Sequence, residues 1–265
     1  MSFQHFSKIL VTTLFTTGLS LSAFAASLKV GITAGPQVDI MKVAKELAKK
    51  KYNLDLEIKS FTDYLQPNEA LNAGDIDANI FQTYSFLDIA IKKRNYKLTV
   101  VGNTFIYPMG IYSAKIKNMK DLKEGAVVAI PNDPSNQGRA LILLSHTKLI
   151  TLKPGVGETP TPQDITSNPK KLKITPMDAS QIARVVKYDA DIAAINNDFV
   201  KNAGFEPKDA LALENPATAK PYINIIVVRT VDAQKKEFQE LKAVMNSPEI
   251  LKISQELFPG AVPAW

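Results

Sequence analysis

Apolar positions recur along this chain with two periods that take turns. Residues 27–32 (SLKVGI) alternate apolar and polar side chains, as a half-buried strand does. Ile40, Ala44, Leu47 and Ala48 then repeat at helical spacing as far as Lys51, with Pro36 suited to the first helical position. Residues 54–60 predict a second strand, 66–73 a short helix, 75–80 a third strand ending in Phe81-Gln82, and 86–93 a helix. Residues 98–101 and 109–113 read as strands. The stretch 126–144 (AVVAIPNDPSNQGRALILL) reads as an apolar strand, a Pro/Asn/Asp turn and a helix. Asp133 fits the N-cap of that helix, with Pro134 at its first position and Asn136 at its third; Ser135 is the alternative cap. Residues 151–169, rich in Pro, Thr and Gly, predict irregular structure. Strand 172–175, helix 180–188, strand 191–195 ending in Asn196-Asn197, strand 223–228 carrying Asn224, and helices 233–246 and 248–258 complete the chain.

Strands alternating with helices predict an α/β protein with mostly parallel sheet. The segments DIDANI (75–80) and DADIAAI (189–195) echo each other, each following a helix and ending in polar residues, which suggests two lobes of similar construction. Ligands of open α/β sheets bind beyond the carboxyl ends of the strands. The polar and aromatic residues at those ends are Tyr64, Phe81, Gln82, Asn136, Arg139 and Asn196. Asn224 lies early in its strand, so this rule does not place it.

Composition narrows the function. With 265 residues and 45% hydrophobic content, the chain can bury one large core or two smaller ones. The formal charge of +6 is not gathered in one stripe: Lys49-Lys50-Lys51 and Lys92-Lys93-Arg94 each follow an amphipathic run, where cations suit a helix C-terminus. No nucleic-acid module accompanies them. His5 and Lys8 precede the apolar run 9–21, and Ala23-Phe24-Ala25 is a cleavage site of A-x-A type. Residues 1–25 are therefore expected to be a signal peptide, and the protein to be exported to a periplasm. There is no cysteine, which excludes disulfides, thiolate metal sites and lipidation at Cys, so an unlipidated protein is expected.

Catalytic signatures are missing. Outside the signal segment the sequence holds one histidine, His146, at the end of the helix in 126–144, where it suits the dipole better than a triad. There is no G-x-S-x-G elbow, H-E-x-x-H or Walker loop. Asp75 and Asp77 share a strand face as an acid–base pair would, but a solvated strand start is the preferred reading. No metal site, cofactor or enzymatic activity is expected. The stretch 126–144 instead suits anion capture: unpaired N–H groups and the macrodipole at a helix start, with Arg139 adding a guanidinium for a carboxylate. Gly138 costs about 1 kcal/mol against Ala within a helix, which suggests close approach to its backbone. Asn224, within the apolar strand YINIIVV, must find polar partners if buried.

At these residues the chain resembles the methionine-binding lipoprotein family (NlpA/MetQ-type), the substrate-binding components of bacterial methionine ABC importers. The resemblance is carried by KVGITAGP at 29–36, EIKSFTDYLQPNEAL at 57–71, GDIDANIFQ at 74–82, PMGIYS at 108–113, AIPNDPSNQGRALILL at 129–144, INIIVVR at 223–229 and the terminal GAVPAW. It implies a type II periplasmic-binding-protein fold, two α/β lobes with a hinge and a central ligand cleft. The lobes are expected at 26–109 with 222–265, and at 110–221, with hinge crossings near Met109 and Pro221. The resemblance implies a pocket with Tyr64 and Phe81 around the ligand side chain, and with Arg139, Asn196 and Asn224 on its carboxylate and amine. Thr83 and Phe86 stand where the family commonly has His and Tyr, and the lipobox cysteine is missing. The expected function is binding methionine or a related amino acid, as a monomer, for delivery to ABC transporter membrane subunits. A methionine-containing dipeptide or another small organic anion is the alternative ligand, and a surface interaction protein without transport the alternative of another class.

Overall fold

The computed structural model describes residues 26–265; the expected signal peptide lies outside them. In chain order the first elements are β1 (Ala26–Thr33), α1 (Gln37–Tyr52), β2 (Leu54–Phe61), α2 (Gln66–Ala73), β3 (Ala78–Asn79), α3 (Tyr84–Arg94) and β4 (Leu98–Ile106). Then follow β5 (Gly110–Tyr112), β6 (Val127–Pro131), α4 (Pro134–His146), β7 (Thr151–Leu152), β8 (Ile165–Ser167), β9 (Lys173–Met177), α5 (Ala179–Tyr188), β10 (Ile192–Ile195), α6 (Asn197–Val200) and β11 (Ala212–Leu213). The chain closes with β12 (Ile223–Arg229), α7 (Lys236–Met245), α8 (Pro248–Leu257) and β13 (Val262–Pro263).

The strands form two sheets, ordered β13-β4-β12-β3-β1-β2 and β11-β5-β10-β6-β9, with β7 and β8 a separate hairpin inside the stretch expected to be irregular. In each sheet three strands pair parallel, β2-β1-β3 and β9-β6-β10. The rest pair antiparallel, so the sheets are mixed rather than mostly parallel. β12 runs against β3 and β4, and β5 runs against β10 and β11. β13 also runs against β4. β5 and β12 are each the first strand laid down after the chain has crossed from the other sheet. Periodicity reports which face a residue takes, not strand direction, and that is why the sequence does not reveal the reversal.

The two echoing segments occupy equivalent places. Asp77 leads into β3 and Asp191 into β10. The carboxylate of Asp77 accepts from the N–H of Lys29 at 2.8 Å, and that of Asp191 from the N–H of Val127 at 2.8 Å. Each acid clasps the middle strand of the parallel trio in its own sheet, β1 and β6. Asp77 also faces Arg229 at 3.4 Å, so it is a structural carboxylate. The strand itself is only two residues long, because Gly74, at φ +88°, ends α2 and the N–H of Asp75 turns back to Ala70 O.

Helices cover the sheets and bury their apolar faces. Val30, Ile32, Ile40, Met41, Phe238 and Leu241 form the core of the first sheet with α1 and α7; Val128, Ile130, Leu141, Leu144 and Ile192 form that of the second with α4. Each such fully buried side chain contributes about 1.5–3 kcal/mol. Pro36 stands one residue ahead of α1 rather than inside it, and α7 starts at Lys236 after a 3₁₀ turn, Thr230–Asp232. Among the described residues no helix is long and apolar enough to cross a membrane.

Candidate functional site

The carboxyl ends of β3, β6 and β10 open toward a cleft between the sheets. Lining it are Tyr64, Phe81, Thr83, Phe86, Asn136, Arg139, Asn196 and Asn224, together with Gln82, Tyr107, Asn197 and Asp198. The empty volume is about 410 Å³. The structure thus brings all the expected site residues together. Asn224 joins them through strand direction. Because β12 runs against β3, its beginning lies beside the end of β3, and Asn224 bridges Thr83 there.

One end of the cleft is polar and built around α4. Asp133 caps the helix, its carboxylate accepting from the N–H of Asn136 at 2.9 Å, while Ser135 takes no part in the cap. Both Asp133 oxygens also accept from the side-chain amide of Asn136, at 3.1 and 3.0 Å. Burial pushes the Asp133 carboxyl up, against the lowering effect of those bonds. The Asn136 oxygen in turn accepts from the Asn196 amide at 2.8 Å. Asn136 is therefore engaged by protein on both sides, and what it presents to the cleft is a fixed Asn196. The Oδ1 of Asn196 is buried with no partner among the described residues. Such an acceptor is costly to leave empty, at about 1–3 kcal/mol.

Arg139 is almost fully buried and less open than its helix position suggests. Its Nε donates to both oxygens of Glu214, at 3.0 and 3.1 Å, and its Nη2 donates to Glu214 and, at 2.9 Å, to the carbonyl of Tyr107. The ring of Tyr222 covers the guanidinium, 4.4 Å from Cζ to centroid. Among the described residues only Nη1 makes no hydrogen bond, and it is the edge left for a ligand. Gly138, next to it, is approached closely by the chain and not by a ligand site. A Cβ there would stand 2.4 Å from Glu158 O and 2.7 Å from the Thr159 Cα.

The other end is aromatic. Ring centroids of Tyr64, Phe81 and Phe86 lie 5.7–6.1 Å apart pairwise, and Phe199 stands 5.3 Å from Tyr64. Thr83 caps α3, accepting from the N–H of Phe86 at 3.4 Å, which fixes the start of the helix that carries Phe86. Behind them Gln82, Asn68 and Asn79 form a buried amide cluster with bonds of 2.7–2.9 Å. Asp198 enters this aromatic end from the other sheet and accepts from the Tyr64 hydroxyl at 2.8 Å. Burial pushes the Asp198 carboxyl up to about 6, offset in part by the Tyr64 bond and by the charge of Arg139. The Tyr64 hydroxyl is pushed well up, first by burial and then by Asp198.

Sequence reasoning did not find Tyr107, Asn197, Asp198, Glu214 or Tyr222. Asp198 carried a usable signal, an acid directly after the Asn196-Asn197 pair at a strand end. Glu214 carried none, since it lies in irregular chain. His146 ends α4, exposed and outside the cleft.

The family profile described as NlpA lipoprotein matches residues 28–265. "Lipoprotein 28" of Escherichia coli (strain K12) is 44% identical over 247 residues, 92% of this chain and 90% of that protein. The "D-methionine-binding lipoprotein MetQ" of the same strain is 43% identical over 242 residues, 90% of this chain and 88% of that protein. A nutrient binding protein from Burkholderia cenocepacia, solved bound to methionine, superposes with a TM-score of 0.85 at 43% identity, over 90% of this chain and 100% of that one. These names overturn the expectation of an unlipidated protein, because the family and these two E. coli relatives are lipoproteins. By the span of the match and the identity of its relatives, this chain belongs to the NlpA lipoprotein family.

Proposed function

We propose that this chain is the substrate-binding component of an ABC importer, taking methionine or a closely related amino acid in the periplasm and handing it to the membrane transporter. The observation that carries the reading is the split of one cleft into two halves. An unpartnered Asn196 oxygen and a free Arg139 edge lie at one end, and three mutually packed rings at the other. A zwitterionic head with an apolar tail suits both halves at once. Arg139 Nη1 takes the carboxylate, Asn196 Oδ1 accepts from the ammonium, Asn224 takes a remaining polar group, and Tyr64, Phe81 and Phe86 enclose the tail. Thr83 and Asn136 hold Phe86 and Asn196 in place. The names of the E. coli and B. cenocepacia relatives support methionine as the ligand.

Delivery needs an opening and closing cleft. The lobes are 26–109 with 222–265, and 110–221, joined by two crossings. The crossings touch, as the N–H of Glu214 donates to the carbonyl of Met109 at 2.9 Å. Closure about them brings surfaces of both lobes to the transporter. The protein acts as a single copy, without cofactor or chemistry of its own. Native mass spectrometry of the purified protein, followed by calorimetry with L-methionine, D-methionine and Gly-Met, tests this. A bound amino acid, or heat with at least one of the three, is expected. No bound amino acid and no heat with any of them overturns methionine as the ligand.

A further inference from the structure

Asp198 is out of keeping with a pocket for a neutral thioether. It stands two positions after Asn196, but the two side chains serve opposite halves of the cleft. Asn196 joins the polar half, and Asp198 meets Tyr64 among the rings. The cation that acts on it is Arg139, and Glu214 already engages the Nε and Nη2 donors of that guanidinium. Asp133, the third carboxylate near the cleft, is spent on capping α4. The protein side of the cleft thus carries more negative than positive charge, with the excess at the aromatic end.

A zwitterion with a neutral tail does not change that balance. Its carboxylate and ammonium cancel, and Asp198 faces hydrocarbon or sulfur with Tyr64 as its hydrogen-bond donor. A desolvated carboxylate without a counter-charge is expensive. A cationic tail removes the expense. The type of cation follows from what surrounds it. A primary ammonium presents three N–H donors and requires acceptors for them. At the aromatic end the acceptors are Asp198, which already takes the Tyr64 hydroxyl, and the one lone pair that the Thr83 hydroxyl keeps beside the Phe86 N–H, a sparse set for three donors. A methylated cation has no N–H to satisfy. It is held by ring faces and one counter-charge, the arrangement by which aromatic cages hold onium groups.

We propose that the cleft takes an amino acid whose side chain ends in a methylated cation, a sulfonium or quaternary ammonium, with Asp198 as its counter-ion and Tyr64, Phe81 and Phe86 against its methyl groups. This rests on the reading of the cleft as an amino-acid site, and deepens it from methionine to a methionine-like onium. Asp198 is then the residue that sets specificity, separating a charged tail from the neutral one of the same length.

Calorimetry of the wild-type protein with S-methyl-L-methionine, L-methionine and L-lysine decides between these ligands. The expected result is at least tenfold tighter binding of S-methyl-L-methionine than of either other amino acid. Asp198→Asn keeps an oxygen for Tyr64 and removes the charge, and should weaken S-methyl-L-methionine at least tenfold while shifting preference toward L-methionine. L-methionine binding as tightly as the sulfonium, or Asp198→Asn weakening both equally, overturns the proposal; the second result assigns Asp198 to the shared α-ammonium. Heat from L-methionine without heat from the sulfonium overturns the onium and leaves the amino-acid site standing. Heat from none of the amino acids, these or those of the first panel, overturns both. If Asp198→Asn does not fold, the wild-type ranking decides alone.

Discussion

Arg139 grips Glu214 with two donors, and in doing so ties together both connections between the sheets. Tyr107, whose carbonyl it also binds, lies in the first crossing; Glu214 and Tyr222 lie in the second. Its guanidinium is thus a fastening at the junction of the lobes as well as an edge of the cleft.

This double position separates two effects of one substitution. Arg139→Ala should weaken amino-acid binding by about 2–5 kcal/mol, as for loss of a buried charge partner. It should also lower folding stability, by up to about 3–5 kcal/mol, because the mostly buried Glu214 is left with the N–H of Met109 and no counter-charge. Adding Glu214→Gln removes the stranded charge. The double variant should regain most of the stability in urea unfolding and none of the affinity in calorimetry. Recovery of both would mean that Arg139 acts on the ligand only through the fold.

Asp198 gives a pH dependence whose sign is fixed by its raised pKa. Folded, the group titrates at about 6, against 3.8 ordinarily. The folded protein therefore holds this proton more tightly than the unfolded chain. The stability it contributes is full below about pH 4 and is lost as pH rises through about 6. At pH 7.5 the ionised group costs up to about 3 kcal/mol. Tyr64 faces it with a hydroxyl that burial pushes well up, so Tyr64 keeps its proton in that range. Asp198→Asn should therefore raise the melting temperature of the ligand-free protein at pH 7.5 and leave it little changed at pH 4. An equal shift at both values would assign the effect to packing.

At Gly138 two effects oppose each other. Alanine gains about 1 kcal/mol of helix propensity. Its methyl, however, meets the backbone at Glu158 and Thr159 at 2.4 and 2.7 Å, and backbone does not move aside cheaply. Overpacking of this kind costs about 1–3 kcal/mol. Gly138→Ala should therefore lower stability in urea unfolding and loosen the 158–160 segment, seen as faster amide exchange there. A stabilised variant would show that this segment is free to retreat.

The legibility of this protein divides along physical lines. The α4 start was readable to the residue, because Asp133, Pro134 and Asn136 are local partners whose roles follow from sequence spacing. The twin segments at Asp77 and Asp191 were readable as an echo, though their use as clasps on Lys29 and Val127 was not. Strand direction was hidden, and with it the reason Asn224 reaches the cleft. Glu214 was hidden too: it lies 75 positions from Arg139, in chain without a period. Asp198 was visible as a letter but not as a charge among rings, because Tyr64 comes from the other sheet. Partners brought together only by the two-sheet assembly leave no local mark.

The last relationship is the relay from Asp133 through Asn136 to Asn196. Asn136 has its amide donors on Asp133 and its oxygen on Asn196, so it acts on a ligand by fixing the Asn196 side chain. Asn136→Ala removes that restraint while Asp133 keeps the backbone N–H of the cap. Affinity should fall about tenfold, the scale of one net hydrogen bond, near 1.4 kcal/mol. Asn196→Ala removes the acceptor itself and should cost more. The two changes should not add, because without Asn196 there is nothing left for Asn136 to hold. A double variant no weaker than Asn196→Ala alone, measured by calorimetry, is the expected outcome. Additive losses would mean instead that Asn136 meets the ligand directly, giving up Asp133 or Asn196 when the cleft fills.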